Sequence, residues 1–362
     1  LTSMPSERDM DLGRAPKNDP AIFALAMACG ADDLATRRAA LDALPLICRT
    51  GTHLFHFAAT VEQFRRWGAG LRRAIGLWYT APEIERVALQ AVKYQQRDGW
   101  SHRDLLRLCH VAPNTPEQAA LFRWIVAGAD GLGARTLTDK KRDKQRSYEA
   151  VNFDGLPHLV QGFERIKFAQ SALHAAKLIT EHRLPHECVP NQFKDSPEIW
   201  AALLPHMGLT AIIRNLGKLT AVGMLKPLSV EVQHVTGALT NTERLKRERV
   251  HPLTLLVAIK IYAQGKGDKG SLTWQPNPQV TSALNEAFYL SFDAIEPTGK
   301  NHLLGLDVSG SMSSGQIAGM PITAREATAA MAMVTARTEK NWHLMAFSNR
   351  FRNPMLRCSR AI

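Results

Sequence analysis

Along most of the chain, apolar residues return every three or four positions. That is the spacing of helices that bury one stripe and expose the rest. Ile84, Val87, Ala88, Ala91 and Val92, for example, fall at i, i+3, i+4, i+7 and i+8. Start and stop signals punctuate these runs. Asp19-Pro20 reads as an N-cap followed by proline at the first helical position. Thr80-Ala81-Pro82-Glu83 and Thr115-Pro116-Glu117-Gln118 read as capping boxes, and Ser101-His102-Arg103-Asp104 as a version with Asp. Ser196-Pro197-Glu198 opens another helix, while Gly30, Gly99, Gly128 and Gly208 read as stops. The pattern predicts a mainly α chain up to about residue 290, with stacked helical hairpins in the manner of a HEAT-like α-solenoid. The sequence has no strict repeat period.

The pattern changes near Ile295-Glu296-Pro297-Thr298-Gly299. Residues 302–306 read as a buried strand. Thr323-Ala324-Arg325-Glu326 caps a helix running to about Arg337, and residues 342–347 read as a second strand. Strand, helix and strand at this spacing make a βαβ unit with a parallel sheet. We therefore divide the chain into a helical-repeat module at residues 1–296 and the N-terminal part of an α/β domain at residues 297–362. The second segment is too short for a complete doubly wound domain, so that domain is expected to be incomplete in this chain. Two further segments stand apart. The charge run 139–146 reads as a solvated loop or an exposed helix face, and residues 265–270 as a flexible basic loop.

Charge narrows the functional classes. The 362 residues carry 45 Lys and Arg against 33 Asp and Glu, a formal net charge of +12. Such an excess points to an anionic partner, nucleic acid first. Five cysteines without a Cys-x-x-Cys pair argue for a reducing, cytoplasmic setting. Neither a membrane-spanning apolar run nor a signal-peptide core is found, so no membrane association is expected.

The basic residues form two stripes. In a predicted helix over residues 81–97, Arg86, Gln90, Lys93 and Arg97 fall at i, i+4, i+7 and i+11. After Asp98-Gly99-Trp100 a second helix buries Leu105, Leu108 and Cys109 and presents Arg103, Arg107 and His110. Such stripes suit a phosphate backbone, and Arg97 and Arg107 can stack on bases or fork onto phosphates. The competing reading is that these are the solvated faces of amphipathic helices. Arg244, Lys246, Arg247, Arg249 and His251 form a second basic cluster.

Asp307-Val308-Ser309-Gly310-Ser311 ends the first strand of the α/β segment with one carboxylate and two hydroxyls. Mg²⁺ or another hard divalent cation takes oxygen ligands of this kind, and open α/β sheets bind ligands at such strand ends. Asp, Ser and Gly are equally the residues of a plain turn. The thirteen histidines include no His-Glu-x-x-His. His53 and His56 sit in an apolar run and read as packed, and His182 and His186 lack a partner cluster. Gly-x-Ser-x-Gly and phosphate-loop motifs are also missing. A two-metal nuclease would need several carboxylates where this loop has one. The residues therefore favour a non-enzymatic binding protein, and a metal-dependent protein-adhesion module on a helical scaffold is the alternative.

Residues 92–108, Val92-Lys93-Tyr94-Gln95-Gln96-Arg97-Asp98-Gly99-Trp100-Ser101-His102-Arg103-Asp104-Leu105-Leu106-Arg107-Leu108, closely resemble the Ro ribonucleoprotein family. So do residues 209–218, Arg249-Val250-His251-Pro252, Glu296-Pro297-Thr298-Gly299 and residues 307–311. The resemblance is greatest to bacterial members. It implies a ring of helical repeats, the TROVE module, closed by a von Willebrand factor A domain. It also implies Y-type non-coding RNA on the outside of the ring and single-stranded ends of misfolded or precursor RNAs in its hole. By this resemblance Lys93, Arg97 and His110 match RNA-contacting positions, and Asp307, Ser309 and Ser311 match the metal-ion-dependent adhesion site. The Thr and Asp that complete that site in the family lie beyond Ile362, so metal binding is expected to be weak or absent. The resemblance further implies a monomer that works in RNA quality control, with the exoribonuclease polynucleotide phosphorylase as a partner through a Y RNA tether.

Overall fold

A computed structural model describes residues 18–133, 135–139, 144–148, 150, 152–268, 270–317, 320–349 and 351–352. It divides into two compact units, which within the described residues span 18–206 and 207–352. The mainly helical class and the terminal α/β segment are both as the sequence predicts.

The first unit holds ten helices among its described residues: α1 (Asp19–Cys29), α2 (Leu34–Ile47), α3 (Gly51–Val61), α4 (Ala69–Thr80), α5 (Ile84–Lys93), α6 (His102–Cys109), α7 (Pro116–Ala127), α8 (His158–Ile166), α9 (Ala172–His182) and α10 (Pro197–Leu203). Adjacent helices pack together in α1 with α2, α6 with α7, α8 with α9 and α9 with α10, and helices two or three places apart pack as well, as in α1 with α3 and α5 with α8. Asp33, Thr50, Thr115 and Ser171 accept backbone N–H bonds as N-caps, and Ser101 with Asp104 forms a full capping box. The core is aliphatic and aromatic and includes Leu25, Leu44, Phe55, Ile75, Tyr79 and Leu121, all fully buried.

Five local expectations are corrected. Thr80 closes α4 instead of capping the next helix, which starts at Ile84 behind Glu83. That helix ends at Lys93 and not at residue 97. Gly99 is a turn residue between the two-residue strands β1 (Gln96–Arg97) and β2 (Trp100–Ser101), and Gly208 precedes a helix. In the charge run 139–146, Asp139 ends β3 (Arg135–Asp139) and Lys144 opens β4 (Lys144–Tyr148), which pair antiparallel. Residues 140–143 lie outside the described residues, as do Lys269 of the basic loop and Cys358.

The second unit begins with α11 (Leu209–Ala221), α12 (Val230–Leu239), α13 (Thr242–Arg247), α14 (Pro252–Ala263) and α15 (Pro278–Leu290). Then come β5 (Asn301–Asp307), α16 (Ala324–Thr338), β6 (Asn341–Phe347) and β7 (Phe351–Arg352). β5 and β6 run parallel from Asn301↔Asn341 to Asp307↔Phe347, and β7 adds antiparallel to β6. The α16 crossover carries a complete capping box, Thr323 with Glu326. It packs on α14, where Lys260 Nζ reaches both Glu326 oxygens at 2.8 Å. The stretch Thr298-Gly299 is tied down: the Glu339 carboxylate accepts from the Thr298 N–H at 2.7 Å and the Gly299 N–H at 3.1 Å. Those bonds, Thr298 foremost, hold Glu339 below the ordinary carboxylate range. No helix among the described residues is long and apolar enough to cross a membrane.

Candidate functional site

The basic candidates are gathered by α5, the β1–β2 hairpin and α6. Asp98 and Gly99 form the hairpin turn with φ of 51° and 80°. Positive φ at both central residues marks the tight turn that Asp-Gly favours. The turn pairs Arg97 with Trp100 and points the chain back into α6. Arg97 therefore sits on a hairpin, not on the helical stripe expected for it, and it is the more exposed for that, at 65% of its side chain. Trp100 lies against Trp67 with centroids 5.3 Å apart, and Asp98 hydrogen-bonds His56 Nδ1 at 2.9 Å, which ties the hairpin to α3. His56 is thus a partly exposed hydrogen-bond partner, not the packed histidine expected. His53 is the packed one: burial first, then Arg49, pushes it down to about 4.

Arg103 and Arg107 on α6, and His110 directly after it, are exposed as predicted, and Leu105 and Cys109 are buried. Leu106 fills the third core position in place of Leu108, which is half-buried. Arg86 is exposed on α5. The two stripes are not free of acids. Lys93 lies 3.8 Å from Glu187, which His186 also contacts at 3.0 Å. Burial pushes the Glu187 carboxyl up, but the His186 hydrogen bond and Lys93 outweigh it and hold the group below its ordinary range. Arg97 Nε lies 3.6 Å from Asp98.

Behind this surface is a buried polar pair that the sequence does not announce. His102 is 3% exposed, with the Tyr79 hydroxyl 2.8 Å from Nδ1 and the Gln90 carbonyl 3.2 Å from Nε2. The Phe55 and Trp78 rings flank its imidazole. Gln90, read from spacing as part of the cationic stripe, instead turns its side-chain oxygen to the Gly51 N–H at 2.8 Å. A histidine directly after an N-cap serine carries no pattern that separates this role from an exposed one.

The second basic cluster is largely engaged in local structure. Arg244 Nε bonds Glu248 at 2.7 Å and its Nη2 donates to the Met207 carbonyl at 2.7 Å. His251 caps α14 through Nδ1.

At the carboxyl end of β5, the Ser309 N–H donates to Asp307 at 2.8 Å, and the Ser309 and Ser311 hydroxyls lie 2.9 Å apart. The Ser309 bonds hold the Asp307 carboxyl below its ordinary range. Arg325, on α16, donates to the Val308 and Ser309 carbonyls at 3.2 and 3.3 Å and braces the loop. The three predicted oxygen donors therefore share one loop, and a donor set made only of oxygens, one of them ionised, fits a hard divalent cation.

Residues 6–261 match the TROVE domain family, and residues 301–360 match the Ro60 vWA domain. Domains of the von Willebrand factor A type are generally metal-binding. The chain is 41% identical over 342 residues to "RNA-binding protein RO60" of Deinococcus radiodurans, covering 94% of this chain and 61% of that one. It is 36% identical over 357 residues to "RNA-binding protein RO60" of Caenorhabditis elegans, covering 86% of this chain and 54% of that one. The chain thus spans between half and two thirds of the length of these relatives. Among solved structures, that described as "Crystal structure of Deinococcus radiodurans RO (RSR) protein" superposes with a TM-score of 0.74 at 40% identity, covering 96% of this chain and 67% of that chain.

Proposed function

This chain belongs to the TROVE-domain Ro60 family, and from that membership we propose that it is a non-enzymatic RNA-binding scaffold for RNA quality control. The observation that carries the proposal is the run of basic residues on α5, the hairpin and α6: Arg86, Arg97, Arg103 and Arg107 are exposed, Lys93 is half-buried, and His110 is exposed at the end of α6. Each neutralised phosphate releases counterions, so affinity there is electrostatic and salt-dependent. An exposed arginine on a rigid turn can stack on an unpaired base or fork onto a phosphate, which favours single-stranded ends over perfect duplex. The RNAs are a Y-type non-coding RNA and misfolded or precursor RNAs with free ends. A Y-type RNA tether brings polynucleotide phosphorylase to them. The protein acts in the cytoplasm as a monomer; its free, buried Cys29, Cys48, Cys109 and Cys188 are in keeping with a reducing compartment.

In the α/β segment, Asp307, Ser309 and Ser311 would hold Mg²⁺ or a similar cation. The ion would supply a positive charge with open positions for an oxygen ligand. The chain's own part is to keep Asp307 ionised through Ser309 and to fix the loop through Arg325. This loop is what favours the second reading, metal-dependent adhesion to a protein carboxylate.

The test is binding of a hairpin RNA with a single-stranded 3′ tail across a salt series. The double variant K93A/R97A should bind more weakly, and its log–log salt slope should flatten by about one to two charges. Unchanged affinity and slope would remove these residues from the interface. Intact labelled RNA after long incubation with Mg²⁺ would agree with a scaffold, and cleavage would refute it.

A further inference from the structure

Away from the cationic hairpin, α8 and α9 bring together three residues with metal-ligating atoms. His158 is the first residue of α8, and Glu181 and His182 are the last two of α9. One ligating atom from each lies within 4.8 Å of the other two. The His158 and His182 rings approach to 4.0 Å between centroids, and Glu181 Oε1 lies 3.8 Å from His182 Nε2.

The state of His182 is the telling point. Its side chain is fully buried. Its Nδ1 faces the His158 carbonyl at 2.9 Å, and since a carbonyl only accepts, Nδ1 carries the proton. Nε2 is then left as a lone pair, and it has no hydrogen-bond partner. A buried acceptor without a partner is costly in a folded protein. A backbone carbonyl that fixes one ring nitrogen so that the other is free to ligate is also the usual support of a metal-bound histidine. His158 and Glu181 are exposed, so the cluster is open to solvent on one side.

We propose that His158, Glu181 and His182 form a binding site for a zinc-class divalent transition cation. Two imidazoles and one carboxylate are a donor set that Zn²⁺ accepts, with a fourth position left for water or a small anion. The ion would tie the start of α8 to the end of α9. It would also reach α5, because the His158 N–H donates to Glu85 at 3.1 Å. This proposal is independent of the RNA reading. It is chemically distinct from the oxygen-only loop at Asp307. The four described cysteines do not compete, because burial holds their thiols protonated.

The experiment is calorimetric titration of the chelator-stripped full chain with Zn²⁺ alone, beside thermal melts with and without the ion. One equivalent should bind and raise the melting temperature. Loss of even an outer-shell partner typically costs 10–100-fold in affinity, so H158A should weaken this event by more than about tenfold. H158A should also abolish the Zn²⁺-dependent rise in melting temperature, while D307A leaves both unchanged. His158 is exposed, so H158A tests the site even if H182Q does not fold. Absence of Zn²⁺ binding by the parent chain, or equal binding by H158A, would overturn the proposal.

Discussion

The Tyr79 hydroxyl donates to Nδ1 of His102, a bond made wholly inside the first unit. The direction follows from the other ring nitrogen. Nε2 faces the Gln90 carbonyl and must carry the proton, so Nδ1 can only accept. One neutral imidazole thereby joins α4, α5 and α6 directly beneath the exposed cations.

This arrangement predicts an acid-sensitive fold. Burial pushes His102 down to about 4, against an unfolded value near 6.5. Between those values the unfolded chain binds a proton that the native chain refuses, so stability falls as pH drops from about 6.5 to about 4. Above 6.5 the contribution is fully present. The loss attributable to His102 is on the order of 3 kcal/mol. His53 adds a change of the same sign. Urea melts of the parent chain and of His102→Asn across this range should show a shallower pH slope in the variant. Parallel slopes would contradict the assignment.

Gly51 should resist enlargement. A Cβ there would stand 2.8 Å from His102 Nε2 and 3.1 Å from the Tyr94 Cβ. Neither neighbour is free to retreat, so Gly51→Ala is expected to cost about 1–3 kcal/mol in denaturant melts. A neutral result would mean that α3 and α6 can separate cheaply.

Glu187 is expected to oppose RNA binding. Its carboxylate lies 3.8 Å from Lys93, so a phosphate must compete with it for that ammonium. Glu187→Gln should tighten RNA binding and steepen its salt slope. Weaker binding in the variant would instead mean that Glu187 positions Lys93 productively.

Glu326 serves two contacts at once, the α16 capping box and the Lys260 ion pair. Lys260→Met removes only an exposed pair and should cost less than about 1 kcal/mol. Glu326→Ala also removes the cap, and the total should reach about 1–2 kcal/mol. Equal effects in thermal melts would show that the cap contributes nothing.

What could be read from the sequence was local. Thr323 with Glu326 and Ser101 with Asp104 marked two helix starts correctly, because a capping box is written within four residues. Asp307, Ser309 and Ser311 were legible as one loop for the same reason. The break at Lys93 was not, because Lys93, Arg97 and the apolar stripe before them stay in helical phase, and only the pairing of Arg97 with Trp100 overrides it. The roles of His102 and His182 depend on partners distant in sequence: Tyr79 for one, and for the other His158, which comes 24 residues earlier. No spacing rule along the chain brings those residues together.

The Asp98-Gly99 turn has a thermodynamic consequence. With only two residues in the loop and both held at positive φ, the backbone at Arg97 has little freedom left to lose. A flexible loop carrying the same arginine would surrender conformational entropy on meeting an RNA, whereas this hairpin arrives already ordered. Lengthening the turn by a glycine or two would keep every charge in place. It should nevertheless weaken binding, and do so at every salt concentration alike.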